Sequence, residues 1–284
     1  MHYNESMPKI LLHAIAAAAY AGLAAHFWRS RWKIVNDPGQ GANRGGLAAW
    51  ERVALGAAVL GHSLLLGSDM LGGPGFRFGF AHALSVMALL ATMFYGIESF
   101  FYPLEGMPAL VLPPAAICVF LPAIFEGAVF ASHGAAPFFV AHVVVAMAAY
   151  AFIAIAAAHA ILMAAIERRL HARGRGGPPL GLPPLLTMER LLFRILSAGF
   201  ALLTLTLVSG AVFSEEIFGR ALRIDHKTVF GSVAWLIFAT LLIGRYAYGW
   251  RGRAALNGTL AGFAVLLLAY VGSRFVLEVI LERV

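Results

Sequence analysis

The sequence has 284 residues, of which 61% are hydrophobic and only 12% are charged, and its mean hydropathy is +0.80. Soluble domains average about 45–50% apolar and about 25% charged residues, so this composition excludes an ordinary soluble domain and predicts a polytopic membrane protein. The formal net charge of +7 does not indicate a nucleic-acid partner, because the Lys and Arg residues lie in short stretches between apolar runs.

Eight apolar segments follow one another along the chain, and each is long enough to cross a bilayer as a helix, the fourth only marginally. Backbone polar groups find no partners in lipid, and the sequence lacks the alternation of a transmembrane barrel. We therefore predict an all-α fold, a bundle of about eight transmembrane helices that forms a single domain over residues 1–284. The helices are predicted at 8–28, 50–71, 80–102, 107–124, 138–165, 191–213, 226–248 and 256–280.

Basic residues predict the orientation of the bundle. The first segment is interpreted as a retained helix, because basic residues rather than a small-residue cleavage site follow it. Positive charge is also concentrated after the fifth and seventh segments, and such loops stay on the cytoplasmic side, which places both chain termini on the outer side. The connection after the third segment carries Glu98 and Glu105 without a positive charge and does not support this scheme. The basic residues of the three loops are Arg29, Arg31, Lys33 and Arg44; Arg168, Arg169, Arg173 and Arg175; and Arg245, Arg251 and Arg253.

Prolines, glycines and the cysteine count predict further local features. Pro113 and Pro114 should kink or break the fourth helix, since proline lacks an N–H donor and clashes with the preceding turn. The segment Gly174–Pro184 is too rich in Gly and Pro for a helix and is predicted to be a linker. The single cysteine, Cys118, excludes a disulfide framework, and the absence of a C-x-x-C-H motif excludes covalently attached c-type haem.

The stretch from Leu205 to Gly252 encloses a dense cluster of ionisable residues between two apolar runs. Its motif SGAVF is followed, about a dozen residues later, by the tetrapeptide DHKT and then by an apolar run that contains Trp235 and closes with Arg245. This order resembles the core of the cytochrome c assembly proteins of the CcsA and CcmC type. The resemblance covers about the last two thirds of the chain and is strongest from Ala141 to Trp250.

The resemblance includes a departure in the loop between these runs. The family's hallmark is a tryptophan-rich outer loop that ends in Trp-Asp-Pro-Lys-Glu-Thr and handles haem. Here the loop has Phe213, Phe218, Ala221 and Ile224 in place of its aromatic residues, and His226 in place of the proline. Such a degenerate loop is similar to the HemX and YpjD branch of the superfamily, which implies a protein of the bacterial inner membrane without a clear catalytic role.

Ten histidines are many for so apolar a chain, and ionisable groups within spans tend to face the bundle interior. His142 and His226 each begin a predicted span on the outer side, and His82 and His13 lie at a similar depth. Histidines at one level suit a non-covalent haem, because imidazole is a normal axial ligand and apolar helices cover the porphyrin. These residues therefore suit a haem site at the outer end of the bundle, and it is the family resemblance that favours haem over a structural role for the histidines.

The resemblance implies one axial ligand of that haem. In AHVVVAMAAYAFIAI, His142 matches one of two external haem ligands of the family. The second family histidine belongs to the last helix, where this chain reads LLAYVGSRFVLEVIL and has none, so His226 is our candidate replacement. His62, in the middle of its span with Ser63 and Asp69 on the same helix, is the next candidate. His159 is 17 residues beyond His142, roughly 25 Å along a helix, so one haem cannot use both.

Arg220, Arg223 and Lys227 lie where haem propionates would point at the outer face, and arginine pairs well with carboxylates. A structural alternative stays open for each group. The loop cations can pair with Glu215 and Glu216, and the histidines can cap a helix or bind a loop carbonyl.

Two functions follow from the sequence. The first is a membrane protein that binds or handles haem in cytochrome c assembly or haem regulation, as the resemblance implies. The second is a non-haem accessory or regulatory subunit of another membrane protein, such as a transporter. The sequence has no Ser/His/Asp order, phosphate loop or paired intramembrane carboxylates, so we do not expect an enzyme. The expected partners are the lipid bilayer, haem and another membrane protein, and no nucleic acid.

Overall fold

The computed structural model describes residues 3–32, 46–73, 75–131, 137–172, 183–218 and 226–272. These residues form eight helices of eleven or more residues, one single-turn helix and a two-stranded sheet. The helices are α1 (Tyr3–Phe27, continued by the π-helical turn Trp28–Trp32), α2 (Ala49–Leu71), α3 (Phe80–Glu98), α4 (Pro108–Cys118), the single turn α5 (Leu121–Ile124), α6 (Pro137–Ala172), α7 (Leu185–Phe218), α8 (His226–Tyr248) and α9 (Arg253–Leu267, continued by the π-helical turn Leu268–Gly272). The strands are β1 (Gly75–Phe78) and β2 (Ala128–Ala131).

Six of these helices are long and apolar enough to cross a membrane. They are α1, α2, α3, α6, α7 and α8, whereas the apolar stretch Pro108–Ile124 and helix α9 are shorter within the described residues. The chain is therefore an all-helical, multi-pass membrane protein, as the composition predicts. Helix α8 has the predicted bounds, but α6 and α7 extend beyond theirs. Hydropathy marks only the apolar part of a helix, whereas its hydrogen bonds continue into the polar ends.

Two predicted boundaries are wrong. Residues 214–218, predicted as loop, are the last residues of α7, and α3 ends at Glu98 instead of 102. Pro113 and Pro114 do not break α4, which runs through both, and the break comes later, at Val119 and Phe120. That these prolines kink the helix stays a prediction. The missing proline N–H groups leave helical carbonyls without their usual donors, and α4 accommodates this loss within its own length instead of ending there.

Helix α6 is the centre of the bundle and packs against α3, α4, α7 and α9. Several of its alanines are fully buried, among them Ala149, Ala156 and Ala160. On α7, Gly199 faces α6 so closely that a Cβ there would lie 2.9 Å from Cγ1 of Ile153. Small residues at such contacts let membrane helices approach closely and gain dispersion energy, which explains the Ala-rich runs of the sequence.

One end of the bundle carries a two-stranded sheet that the sequence did not predict. Strands β1 and β2 pair antiparallel, with Phe76 opposite Phe130 and Arg77 opposite Val129. The pairing joins the connection before α3 to the connection after α5, and both were assigned to the outer face. At the same end, Lys9 near the start of α1 lies 3.1 Å from Asp69 near the end of α2.

The opposite end is joined by ion pairs. Arg31 after α1 reaches Glu51 at the start of α2, Arg245 near the end of α8 reaches Glu189 on α7, and Arg253 on α9 lies 3.6 Å from Glu167 on α6. Every helix end in these pairs belongs to the face that the basic loops mark as cytoplasmic. The helices thus alternate as predicted, and which face is cytoplasmic remains a prediction.

We expect the basic end to be cytoplasmic, because Lys and Arg near span ends resist translocation. A reporter enzyme that is active only outside the cytoplasm should be active when fused after Val284 and inactive when inserted within Gly174–Gly177. The opposite pattern of reporter activity would show that the orientation is inverted and that the end with the two-stranded sheet faces the cytoplasm.

Candidate functional site

His142 lies in the second turn of α6, is half-buried, and faces α7. Its Nδ1 atom is 2.7 Å from the Ser209 hydroxyl oxygen. Gly210 next to that serine leaves room for the ring, since a Cβ there would be 3.4 Å from Cε1 of His142. Close packing of α6 on α7 therefore fixes the position of the imidazole.

The hydrogen bonds of Ser209 also fix the tautomer of His142. The Ser209 hydroxyl donates to the Thr206 carbonyl at 3.1 Å, so its oxygen is left to accept a hydrogen bond from Nδ1–H of His142. A neutral imidazole with its proton on Nδ1 has a lone pair on Nε2. This is the arrangement of metal-binding histidines, in which the second ring nitrogen donates to an oxygen atom.

The other residues predicted for this site are less defined. His226 is the first residue of α8 and is exposed, and Lys227 follows it. Helix α7 packs against both α6 and α8, so it lies between the helices that carry His142 and His226. Arg220 and Arg223 are outside the described residues. The facing arrangement of His142 and His226 therefore remains a prediction.

His82, in the first turn of α3, is completely buried. Neither of its ring nitrogens has a hydrogen-bond partner among the described residues. The charged side chains that interact electrostatically with its ring include Asp69, Lys9 and Arg77. Since α3 packs directly on α6, His82 is on a neighbour of the helix that carries His142.

His13, which we expected at the same depth, belongs to a polar cluster between α1 and α2. Its Nε2 is 2.7 Å from Asp69 Oδ2, and its Nδ1 is 2.6 Å from the Val119 carbonyl oxygen. Lys9 binds the other oxygen of Asp69. Both ring nitrogens of His13 are thus engaged within the protein.

His62 binds hydroxyl groups on two other helices. Its Nε2 is 2.8 Å from the Ser85 hydroxyl on α3, and its Nδ1 is 3.3 Å from the Tyr20 hydroxyl on α1. Ser63, the next residue in the chain, donates to the Val59 carbonyl of its own helix. His62 therefore ties three helices together in the middle of the bundle, and its two nitrogens are occupied by hydroxyl groups.

A second polar cluster lies at the basic end of the bundle, around Arg31, which is 3% exposed. Arg31 donates to Glu51 at 2.5 Å and lies 3.3 Å from Glu105. Glu51 also accepts from the Ala48 backbone N–H at 2.7 Å and is 2.9 Å from His26 Nε2. No positive residue lies near Glu105 along the chain, because its partner Arg31 is more than seventy residues away.

Glu98 and His159 form a third buried group, close to the Arg31 cluster. Glu98 Oε1 is 3.6 Å from His159 Nε2, and His159 Nδ1 is 2.9 Å from the Ile155 carbonyl oxygen. Neither oxygen of Glu98 has a hydrogen bond to the described residues. His159 thus belongs to the basic end of the bundle, as its distance from His142 predicts.

The sequence from 47 to 281 matches the family described as Cytochrome C assembly protein. The chain belongs to this family. The match begins before α2 and therefore covers the helices that carry His62, His82, His142 and His226.

Curated relatives match shorter parts of the chain. The "Inner membrane protein YpjD" of Escherichia coli K12 is 38% identical over 146 residues, which are 51% of this chain and 54% of YpjD. The "Cytochrome c biogenesis protein CcsA" of Prochlorococcus marinus NATL1A is 36% identical over 85 residues, 30% of this chain and 27% of that protein. CcsA of Synechocystis is 35% identical over 86 residues, 30% of this chain and 26% of that protein.

These matches confirm the predicted family and its YpjD-like character. The chain aligns with about half the length of YpjD and about a quarter of the length of CcsA. No solved structure matches the chain.

The sequence did not predict the partners of several residues in these buried groups. Ser209, Tyr20 and Arg31 act through partners on other helices, and no local pattern reveals such pairs. Glu98 could have been found, because a carboxylate at the end of an apolar run is costly and marks a functional position.

Replacing Arg31 by Ala should destabilise the protein by about 3–5 kcal/mol, because Glu51 and Glu105 would stay buried without their cation. Unfolding in detergent micelles measures the change. The control is Arg29→Ala, an exposed arginine two residues away, which we expect to cost within about 0.5 kcal/mol. Equal losses for the two variants would show that the buried cluster does not stabilise the α1–α2 contact.

Proposed function

We propose that this protein binds haem non-covalently at the outer end of its bundle, in the bacterial inner membrane, with His142 as an axial ligand. The observation that supports this proposal most directly is the Ser209–His142 contact, which leaves the Nε2 lone pair available for iron. Membership of the Cytochrome C assembly protein family supports the choice of haem over another iron or metal group.

The residues present fit such a group. Haem, when bound, supplies an iron that accepts imidazole nitrogen and a porphyrin that apolar helices can cover. Ser209 orients the His142 ring, and Arg220, Arg223 and Lys227 provide cations for the propionate carboxylates. The buried His82, whose ring nitrogens have no hydrogen bonds among the described residues, supplies a second imidazole on a neighbouring helix.

Two histidines compete for the second axial position. His226 is the candidate from the sequence, and it replaces a proline of the family motif. The packing of α3 directly on α6 favours His82, since α7 separates α6 from α8. Variants of both residues distinguish these assignments.

The loop after α7 suggests how the haem is used. The family's tryptophans are replaced by Phe213 and Phe218 in the last turns of α7 and by Ala221 and Ile224 after it, which removes every indole ring from this part of the chain. We therefore propose haem binding or regulation of haem supply, without a catalytic step, rather than transfer of haem to a cytochrome.

Absorption spectra of the purified protein with added haem test this proposal. The wild type should give a low-spin Soret band at one haem per chain, and His142→Ala should lose it. Ser209→Ala should keep the ligand but weaken haem affinity by about 10–100-fold, because the hydrogen bond that orients the ring is gone. His159→Gln, at the other end of the bundle, is the control and should leave the spectrum unchanged.

The remaining variants choose the second ligand and the function. Loss of the low-spin band in His226→Ala assigns His226, and loss in His82→Ala assigns His82. A wild type that takes up no haem at stoichiometric levels would refute the proposal and leave the accessory or regulatory subunit as the better account.

A further inference from the structure

Buried polar groups occur along the length of α3, from one end of the bundle toward the other. They are His82, Ser85, Thr92, Tyr95 and Glu98, each at most 5% exposed. Three histidines from neighbouring helices lie near them: His13 at the end with the two-stranded sheet, His62 in the middle and His159 at the basic end. Burial of so many ionisable groups in a membrane bundle is expensive, and such chains of groups mark proton or ion pathways.

The hydrogen bonds of His13 fix how many protons its group holds. Its two ring nitrogens face acceptors, the Val119 carbonyl oxygen and the Asp69 carboxylate. A neutral imidazole has one N–H, so two acceptors require a second proton, either on His13 or on Asp69. The His13–Asp69 pair therefore holds one proton more than a neutral imidazole and a carboxylate would, and Lys9 binds the other oxygen of Asp69.

The same reasoning applies to Glu98 and His159. His159 Nδ1 donates its proton to the Ile155 carbonyl, so a neutral ring turns the Nε2 lone pair toward Glu98 Oε1. Two lone pairs 3.6 Å apart in a dry interior repel each other unless one proton lies between them. The pair therefore holds one proton that either partner can carry, and it can release and regain that proton.

His62 can exchange a proton with either neighbour. Its partners are the hydroxyl groups of Ser85 and Tyr20, and a hydroxyl both donates and accepts. Such a group can receive a proton on one nitrogen and release one from the other without moving the ring.

We propose that these groups form a proton-transfer path across the bundle, from His13 and Asp69 through His62 and Ser85 to Glu98 and His159. Within each group one proton moves from an N–H or O–H donor to the next nitrogen or oxygen acceptor. Between the three groups, which are not hydrogen-bonded to one another among the described residues, the proton moves through intervening water. In every step the donor regains a proton from the group before it. The net result is one proton taken up at one face and one released at the other, with no oxidant or reductant.

Other charged groups set the field at both ends of the path. At the His13 end, the charged groups are Lys9 and Arg77, with His82 beside them. At the Glu98 end, they are Arg31, Glu51 and Glu105, with Tyr95 beside them. Ser85 and Thr92 are about 10 Å apart along α3, and the buried residues between them include Ala88 and Ala91, which carry no proton. We expect proton transfer across this interval to be the slowest step, because water must enter there.

Proton flux into liposomes tests the path. Haem-free protein is reconstituted with a pH-sensitive dye inside, and a potassium diffusion potential drives protons while potassium balances their charge. The wild type should acidify or alkalinise the lumen, according to the sign of the potential, faster than protein-free liposomes. Glu98→Gln and His62→Gln should each reduce the rate by about tenfold or more, since an amide keeps hydrogen bonds but does not carry the proton onward.

The matched control is Glu189→Gln, a buried carboxylate paired with Arg245 outside the path, which should keep the wild-type rate. Circular dichroism and gel filtration show that each variant is folded before its flux is compared. The proposal is overturned if the wild type conducts no faster than protein-free liposomes, or if Glu98→Gln and His62→Gln conduct like Glu189→Gln. Because haem is absent throughout, this outcome is independent of the haem-binding proposal.

Discussion

The pairing of Arg31 with Glu51 and Glu105 is the interaction on which the first half of the bundle depends. All three side chains are buried, and lipid would not solvate any of them. Their contacts join the end of α1, the start of α2 and the connection between α3 and α4 at one face. With these ends fixed, the polar residues in the middle of α1, α2 and α3 meet at the same depth, where His62 binds Tyr20 and Ser85.

The second half of the bundle is held together differently. Helices α6 and α7 pack through small residues, and Gly199 lies against Ile153 where a larger side chain would clash. This close contact also places Ser209 against His142. The small residues of α6 and α7 therefore make the hydrogen bond between His142 and Ser209 possible. Helix packing orients the candidate haem ligand.

The sequence predicted the helices well because a membrane span is encoded locally, in the length and hydropathy of one segment. It located His142 through a family motif, but not Ser209, since the hydrogen bond joins residues 67 positions apart. The pairing of β1 with β2 was missed for a similar reason. Each strand has four residues, and their pairing depends on the helices between them. The partners of His62 were not predicted, since Tyr20 and Ser85 are on other helices, 42 and 23 residues away.

Helix α1 connects these observations to the family. The family match begins at residue 47, after α1, yet α1 supplies His13, Tyr20 and, in its terminal turn, Arg31 to the buried groups of α2 and α3. The candidate haem ligand His142 and its Ser209 partner are instead on α6 and α7, within the matched region. Two helices carry residues both of the candidate haem site and of the buried polar groups. Helix α3 carries His82 as well as Ser85 and Glu98, and α6 carries His142 as well as His159. His142 and His159 are nevertheless 17 residues apart, roughly 25 Å along α6, so this helix holds the two groups at opposite ends of the bundle.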